Sequence, residues 1–451
     1  MSDQVYSQDH DAYPSPKAGW LLVVMLTCAY VLSFVDRYIL GLLIEPIKAD
    51  LGLTDTQIGL VLGPAFAIFY ATMGLPLGWL VDRKRRTWIV AAGIFVWSLA
   101  TAVSGLARNF MQLFLARMAV GVGEATLSPS AMSMISDSFP PERRGKPIAV
   151  YVAALSVGAA LASLIGGFVL TWAKSAQAVE MPLIGVAAPW QLTLIAVGTP
   201  GLILAGIFML LREPPRQVVA KGGSEQIGNG IGDALAYMWQ NIGAYAGLLS
   251  LACVMTVIAY SQGFLPAVFT RTWGWPAEQY AFVNAVVLLI AGPTTAFASG
   301  VISDRWSVAG RSDAPIRMVI IGFVVMVPSA ILPMFMPSAE LAFVWLFINT
   351  AGIAIVSATA VTALLAITPS AIRGQVTAIY YMTISLSGLL LGPTSVGFLS
   401  TEVFGEDQIR ISFAITCAVF AVVPALLIPA ILRAYRRKLK RFEQAAQASA
   451  S

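Results

Sequence analysis

Along the 451 residues, long uncharged apolar stretches alternate with short segments that hold nearly all of the charge. Twelve stretches read as spans, numbered here in chain order: 20–44, 56–81, 87–107, 109–136, 146–172, 188–211, 241–270, 277–302, 315–336, 340–367, 373–399 and 409–433. Each is long enough to cross a ~30 Å hydrocarbon core as a helix rising ~1.5 Å per residue. The pattern therefore predicts an all-α integral membrane protein with twelve transmembrane helices. Gly63-Pro64, Pro266, Gly292-Pro293 and Gly392-Pro393 interrupt these runs. Such breaks are tolerated in a bundle, where neighbouring helices satisfy the freed backbone groups.

Composition agrees with that class. Hydrophobic residues make up 58% of the chain and charged residues 11%, with a mean hydropathy of +0.78. A soluble protein of this size carries roughly twice that charge fraction. The first 19 residues are polar and lack a basic-then-apolar pattern, so the expectation is no removable signal peptide, with span 1 directing insertion. Cys28, Cys253 and Cys417 all fall in spans and read as small core residues, and the one histidine, His10, lies in the polar tail. No metal site or cofactor is expected.

The net charge of +5 does not point to nucleic acid, because the basic residues are sorted by side. With twelve spans both termini share a side, and that side holds 21 Lys and Arg against 5 on the other. Arg37 and Arg117 remain inside the spans. This bias is the positive-inside rule and predicts cytoplasmic termini. The basic run 433–441 reads as a topology anchor that could also touch anionic lipid.

The connection 212–240 divides six spans from six. Gly78-Trp79-Leu80-Val81-Asp82-Arg83 follows span 2, and Gly300-Val301-Ile302-Ser303-Asp304-Arg305 follows span 8. Likewise Pro140 stands four residues before Arg144-Gly145, and Pro369 four before Arg373-Gly374. Tyr151 and Ser156 recur as Tyr380 and Ser385. Two motifs recurring at equivalent loops indicate a duplicated unit. The predicted organisation is a tail at 1–19, a six-helix bundle at 20–211, a linker at 212–240, a second bundle at 241–433 and a basic tail at 434–451. Paired halves around a central site suit an alternating-access carrier.

With these motifs the chain resembles the major facilitator superfamily. The family's G-x-L-x-D-R-x-G-R-[KR] signature is matched by Gly78, Leu80, Asp82, Arg83 and Arg86, with departures at Arg85 and Thr87. The resemblance implies that Asp82 and its loop partners latch the inner ends of the halves in one state. Asp304, Arg305, Arg144 and Arg373 are candidate members of the same gate. Physically, a carboxylate such as Asp82 could face the positive N-terminus of a helix from the other half. The arginines read equally well as topological charges.

Four ionisable residues sit well inside the spans, and all belong to the first half: Asp36, Arg37, Arg117 and Glu124. An unpaired charge at the bilayer centre costs several kcal/mol, so such groups normally face a cavity and pair with one another. Helix rise places Asp36 roughly 24 Å, Arg117 roughly 28 Å and Glu124 roughly 18 Å from the inner end. Arg117 and Glu124 are seven residues apart and share a helix face. Burial raises a carboxyl pKa and a nearby guanidinium lowers it, so a moving arginine can switch an acid. Asp36 and Glu124 are thus candidate proton-coupling residues, with Arg37 and Arg117 as charge partners. A static ion-pair cluster is the other reading.

The residues around these charges, an aromatic-x-Asp-Arg-Tyr element in span 1 and Arg117-x-x-x-Gly121-x-Gly123-Glu124-Ala125 in span 4, resemble the Spinster family of lipid transporters, in a bacterial member. Ser33 departs from that pattern. The resemblance implies functional roles for Asp36 and Glu124 and an amphipathic substrate of lysophospholipid or sphingoid type. Candidate lining residues, as a set, are Ser33, Tyr260, Gln262, Phe264, Asn284, Asn349, Thr359, Tyr380, Tyr381 and Thr383; for any single one, packing or an interhelical hydrogen bond is the favoured reading. A proton-coupled carrier of small organic anions is the rival, since Arg37 and Arg117 could grip a carboxylate. An intramembrane enzyme lacks a buried histidine or an H-E-x-x-H element, and a channel or sensor is the remaining class. The expected protein is a monomer in a bacterial inner membrane, with protons, bilayer lipid and a small amphipathic substrate as its partners.

Overall fold

The computed structural model describes residues 13–140, 143–175, 180–181, 185–216 and 231–448. His10, Glu142 and Lys221 lie outside them, as do residues 1–12 of the tail expected at 1–19 and 217–230 of the linker expected at 212–240.

Helices account for almost every described residue. In order they are α1 (Pro16–Leu42), α2 (Ile44–Leu51), α3 (Asp55–Leu62), α4 (Pro64–Arg83), α5 (Arg86–Ser104), α6 (Phe110–Glu124), α7 (Leu127–Ser138), α8 (Gly145–Ser175) and α9 (Pro189–Leu210). There follow α10 (Ile231–Gln240), α11 (Ile242–Ser261), α12 (Leu265–Trp273), α13 (Ala277–Val308), α14 (Ala314–Ile331), α15 (Ala339–Ala366), α16 (Arg373–Phe398) and α17 (Ile409–Ala448). Among the described residues, 12 helical segments are long and apolar enough to cross a membrane. Besides them, a hairpin of β1 (Glu180–Met181) and β2 (Gly185–Val186) lies between α8 and α9.

Several predicted spans are broken helices, and proline accounts for where they break. Pro129 has no N–H and its ring crowds the carbonyl of Ala125, so span 4 divides into α6 and α7 at Ala125 and Thr126. Pro266 acts in the same way on Gln262, and a tight turn at Gln262–Phe264 separates α11 from α12. Pro64 sits at the first position of α4, where a missing N–H costs nothing. The last span runs further than its apolar pattern, continuing as one helix through the basic run to Ala448.

The chain forms two compact units. One comprises residues 1–53, 60–223 and 276–285; the other comprises 54–59, 224–275 and 286–451. Within the first, α1 packs along α8, and α5 along both α9 and α6. Within the second, α11 packs along α16, and α14 along both α17 and α15. Spans 1 and 5 thus pair as 7 and 11 do, and span 3 meets 6 and 4 as span 9 meets 12 and 10. The core of the first unit includes Trp97, Trp190 and Phe208; that of the second includes Phe264, Phe269, Phe323 and Phe413.

Candidate functional site

The four intramembrane charges come from α1 and α6. Helix α1 starts cleanly because the Ser15 hydroxyl accepts the Ala18 N–H at 3.4 Å and Pro16 holds the first position. Helix α6 starts at Asn109, whose side-chain oxygen accepts the Gln112 N–H at 3.0 Å. It ends at Glu124, so that carboxylate stands at the negative end of a helix dipole and needs a cation beside it. Arg37 supplies one, donating from Nε to Glu124 Oε2 at 2.7 Å and also from Nη2 to the same oxygen. The guanidinium is further held over the Phe66 ring at 4.5 Å and the Tyr70 ring at 5.4 Å.

Arg117 reaches the other way, donating from Nη2 to the backbone oxygen of Asp36 at 3.2 Å. Asp36, Arg117 and Glu124 are 2%, 3% and 2% exposed, which removes water as a general solvent for their charges. Among the described residues, Asp36 Oδ1, Glu124 Oε1 and Arg117 Nε and Nη1 are buried with no hydrogen-bond partner. Buried polar atoms are normally satisfied, so this cluster holds unused hydrogen-bonding capacity on two acids and a base. Beside it, the rings of Tyr30 and Tyr151 stack at 5.0 Å.

The candidate gate residues occupy different settings. Arg86 is buried: it contacts Asp137 and Ser133, donates from Nε to Glu213 Oε1 at 2.9 Å and from Nη2 to the Pro214 oxygen at 2.9 Å. Arg83 lies over the Trp79 ring at 4.0 Å. Gly78 has open space where a side chain would be. Asp82 is in α4, but its side chain lies outside the described residues. Asp304 and Arg305 are exposed at the end of α13. Arg144 and Arg373 make the same contact in each unit, donating from Nε to the carbonyl five residues earlier: Phe139 at 2.7 Å and Thr368 at 3.1 Å. The repeated P-x-x-x-R-G motif is therefore a repeated turn lock.

Most of the candidate lining residues are engaged within helix packing. Gln262 donates to Asn349 Oδ1 at 2.7 Å, and Asn349 donates to the Met326 carbonyl at 2.8 Å. Ser33, Thr359 and Thr383 bond carbonyls of their own helices. Phe264 and Tyr380 are buried, whereas Tyr260 and Gln262 are half-buried and Tyr381 is exposed. Asn284 approaches Ser163 at 3.4 Å within the first unit.

One charged cluster has no counterpart among the residues that the sequence pattern singles out. Asp55, at the start of α3, is fully buried in the second unit, where Arg271 donates to both of its oxygens at 2.7 and 2.9 Å. Ser400 adds a bond at 2.6 Å, and Glu406 accepts the Asp55 N–H at 2.8 Å. Gly397 permits this approach, because a Cβ there would lie 2.2 Å from the Asp55 carbonyl oxygen.

Comparison with known proteins settles the family. The sequence profile of the Major Facilitator Superfamily matches residues 26–311 and 247–451. The chain belongs to the Major Facilitator Superfamily. It is accordingly a multi-pass membrane transporter in a lipid bilayer, and its relatives are superfamily transporters rather than enzymes. The crystal structure of a bacterial homologue of the human lysosomal transporter Spinster, inward-facing and unoccupied, is similar at 25% identity and a TM-score of 0.80, over 94% of this chain and 99% of that one. An MFS-type efflux pump of Mycolicibacterium smegmatis is 26% identical over 96% of both chains. A probable L-galactonate transporter of Escherichia coli is 34% identical over 42% of this chain and 39% of its own length. The likeness to a bacterial Spinster homologue thus extends over nearly the whole of this superfamily member.

Proposed function

We propose that the protein is a proton-coupled, alternating-access transporter of an amphipathic lipid-like molecule, of lysophospholipid or sphingoid type. The observation that carries the reading is the pairing of half-buried Arg37 with buried Glu124, beside Asp36 and Arg117, within the membrane-spanning helices of the first unit. Glu124 at the end of α6 has one strong cationic partner, and that partner sits on a different helix. Drawing Arg37 away to a substrate phosphate takes the hydrogen-bonded counter-charge from Glu124 at the dipole's negative end, which favours taking up a proton. Proton release and re-pairing then follow when substrate leaves. Asp36, beside Arg117, is the second proton-carrying candidate.

A lipid-like substrate is what the resemblance to the Spinster family implies, and the likeness to a bacterial Spinster homologue covers 94% of the chain. The basic bias supports cytoplasmic termini in a bacterial inner membrane, and the gate role of Asp82, Arg83, Arg86 and the matching loop belongs to the same proposal. A second reading, a carrier of small organic anions, draws on the likeness of 42% of the chain to the galactonate transporter. Arg37 would then hold a carboxylate rather than a phosphate.

Uptake into proteoliposomes under an imposed pH gradient, with lysophospholipids, sphingoid lipids and small organic acids offered separately, decides between them. Gradient-driven accumulation of a lysolipid is expected. Accumulation of sugar acids alone would replace this reading with the second.

A further inference from the structure

In the first unit a groove of about 500 Å³ runs between α4, α5 and the break between α6 and α7. Its wall is apolar, from Leu77, Leu80, Ile89, Ala92, Val96 and Val122. Its floor exists because Gly93 and Gly123 let α5 and α6 touch: a Cβ on Gly123 would lie 2.7 Å from the Gly93 carbonyl oxygen. Trp88, Ala92, Phe95, Val96, Leu99 and Val103 are all exposed and recur at helical spacing, so this side of α5 looks into lipid.

One end of the groove is basic. Lys84 and Arg85 line it there, and both are exposed. Arg85 lies 5.4 Å from the Trp88 ring, as Arg83 lies 4.0 Å from that of Trp79. Exposed Trp beside Arg is the signature of the headgroup level of a bilayer. Among the described side chains, Glu213 approaches Arg85 at 4.0 Å but is already held by Arg86 at 2.9 Å. From Arg85 to Val96 the helix rises ~16 Å, about half of a ~30 Å hydrocarbon core. The groove therefore has the polarity and depth of one leaflet: cationic at the headgroup, apolar to the midplane.

We propose that this groove is a binding site for an intact anionic phospholipid, one acyl chain lying along α5 and the headgroup phosphate between Lys84 and Arg85. The chain's inner end would press on Gly123 and Thr126, at the helix break that carries Glu124. A bilayer lipid at this site would stiffen that break. This is a site separate from the four-charge cluster and does not depend on what the transporter carries.

Native mass spectrometry of the whole protein, with phosphatidylglycerol and phosphatidylcholine of identical chains added together, tests it. Phosphatidylglycerol adducts should exceed phosphatidylcholine adducts by roughly ten- to thirty-fold, given two surface cations. The Lys84→Gln/Arg85→Gln variant should bring that ratio close to one. Ala92→Trp, a change at an exposed position, should remove the adducts while leaving the melting temperature in place, since the indole fills the groove. Glycerol 3-phosphate, which has the charge without the chains, should displace nothing. Equal binding of the two lipids by the unaltered protein, adducts that survive Ala92→Trp, or displacement by glycerol 3-phosphate would each overturn the proposal.

Discussion

Arg271 meets Asp55 through both arms of its guanidinium, Nη1 and Nη2 lying 2.7 and 2.9 Å from the two carboxylate oxygens. Asp55 is fully buried, and the hydroxyl of Ser400 takes up a further position on its Oδ2. The repeat assigns residues 54–59 to the first half of the sequence, yet they pack within the second unit. A bidentate pair with a third donor is the strongest form such a contact takes.

Removing one partner of a buried pair leaves the other charged and uncompensated, at a cost of about 3–5 kcal/mol. Asp55→Asn should therefore lower the melting temperature in detergent markedly. The double change Asp55→Asn/Arg271→Met should recover part of the loss, because the stranded cation is gone. Additive losses in the double variant would mean that the two side chains act separately.

Arg86 invites a second substitution. Its guanidinium serves Asp137, Ser133, Glu213 and the Pro214 carbonyl at once, in a fork geometry that an ammonium cannot copy. Arg86→Lys keeps the charge but should still destabilise the protein by about 2 kcal/mol or more, read as a lower melting temperature and weaker yield of folded protein. Arg83→Lys, at an exposed position over Trp79, should change either quantity far less.

Asp313 makes stability depend on pH. Burial pushes its carboxyl upward, but hydrogen bonds from Arg317 at 2.9 Å and Arg436 at 2.5 Å outweigh that and hold it below the usual carboxylate range. A lowered folded value means the unfolded chain binds the proton more tightly. The contribution is thus complete above the ordinary aspartate value of about 4 and is lost as pH falls through the lower folded value. Both arginines are more than one-third exposed, so the effect should not exceed about 1 kcal/mol. Melting curves of the unaltered protein and Asp313→Asn should differ at pH 6 and converge toward pH 3; a gap that widens on acidification would contradict the assignment.

The spans were legible because a charge-free run of twenty or more residues has little use outside a bilayer. Asp36, Arg37, Arg117 and Glu124 were legible for the converse reason: charge stands out against an apolar run. Asp55 carried no such contrast. It follows Thr54 at the polar edge of a span, where an acid at a helix start is ordinary. Arg86 read as a gate candidate or a topological charge; its buried partners Asp137 and Glu213 lie 51 and 127 residues away, and only folding brings them near. Asn349 and Thr359 show the limit of residue type alone: polarity within a span does not say whether a side chain turns to a cavity or to a neighbouring carbonyl. Both turn to carbonyls. Breaks at Ala125 and Gln262 follow from Pro129 and Pro266 once the clash four residues back is considered.

The central claim is that Glu124, released from Arg37, carries the proton. Its most direct measurement is the internal pH of proteoliposomes that contain a trapped pH dye, followed as lysophospholipid is driven across by its own gradient. The unaltered protein should shift the internal pH in step with substrate. Glu124→Gln, whose amide keeps the shape but cannot take up a proton, should abolish the pH shift while substrate exchange under equal concentrations continues. A Glu124→Gln protein that moves protons with substrate as the unaltered protein does would contradict the account.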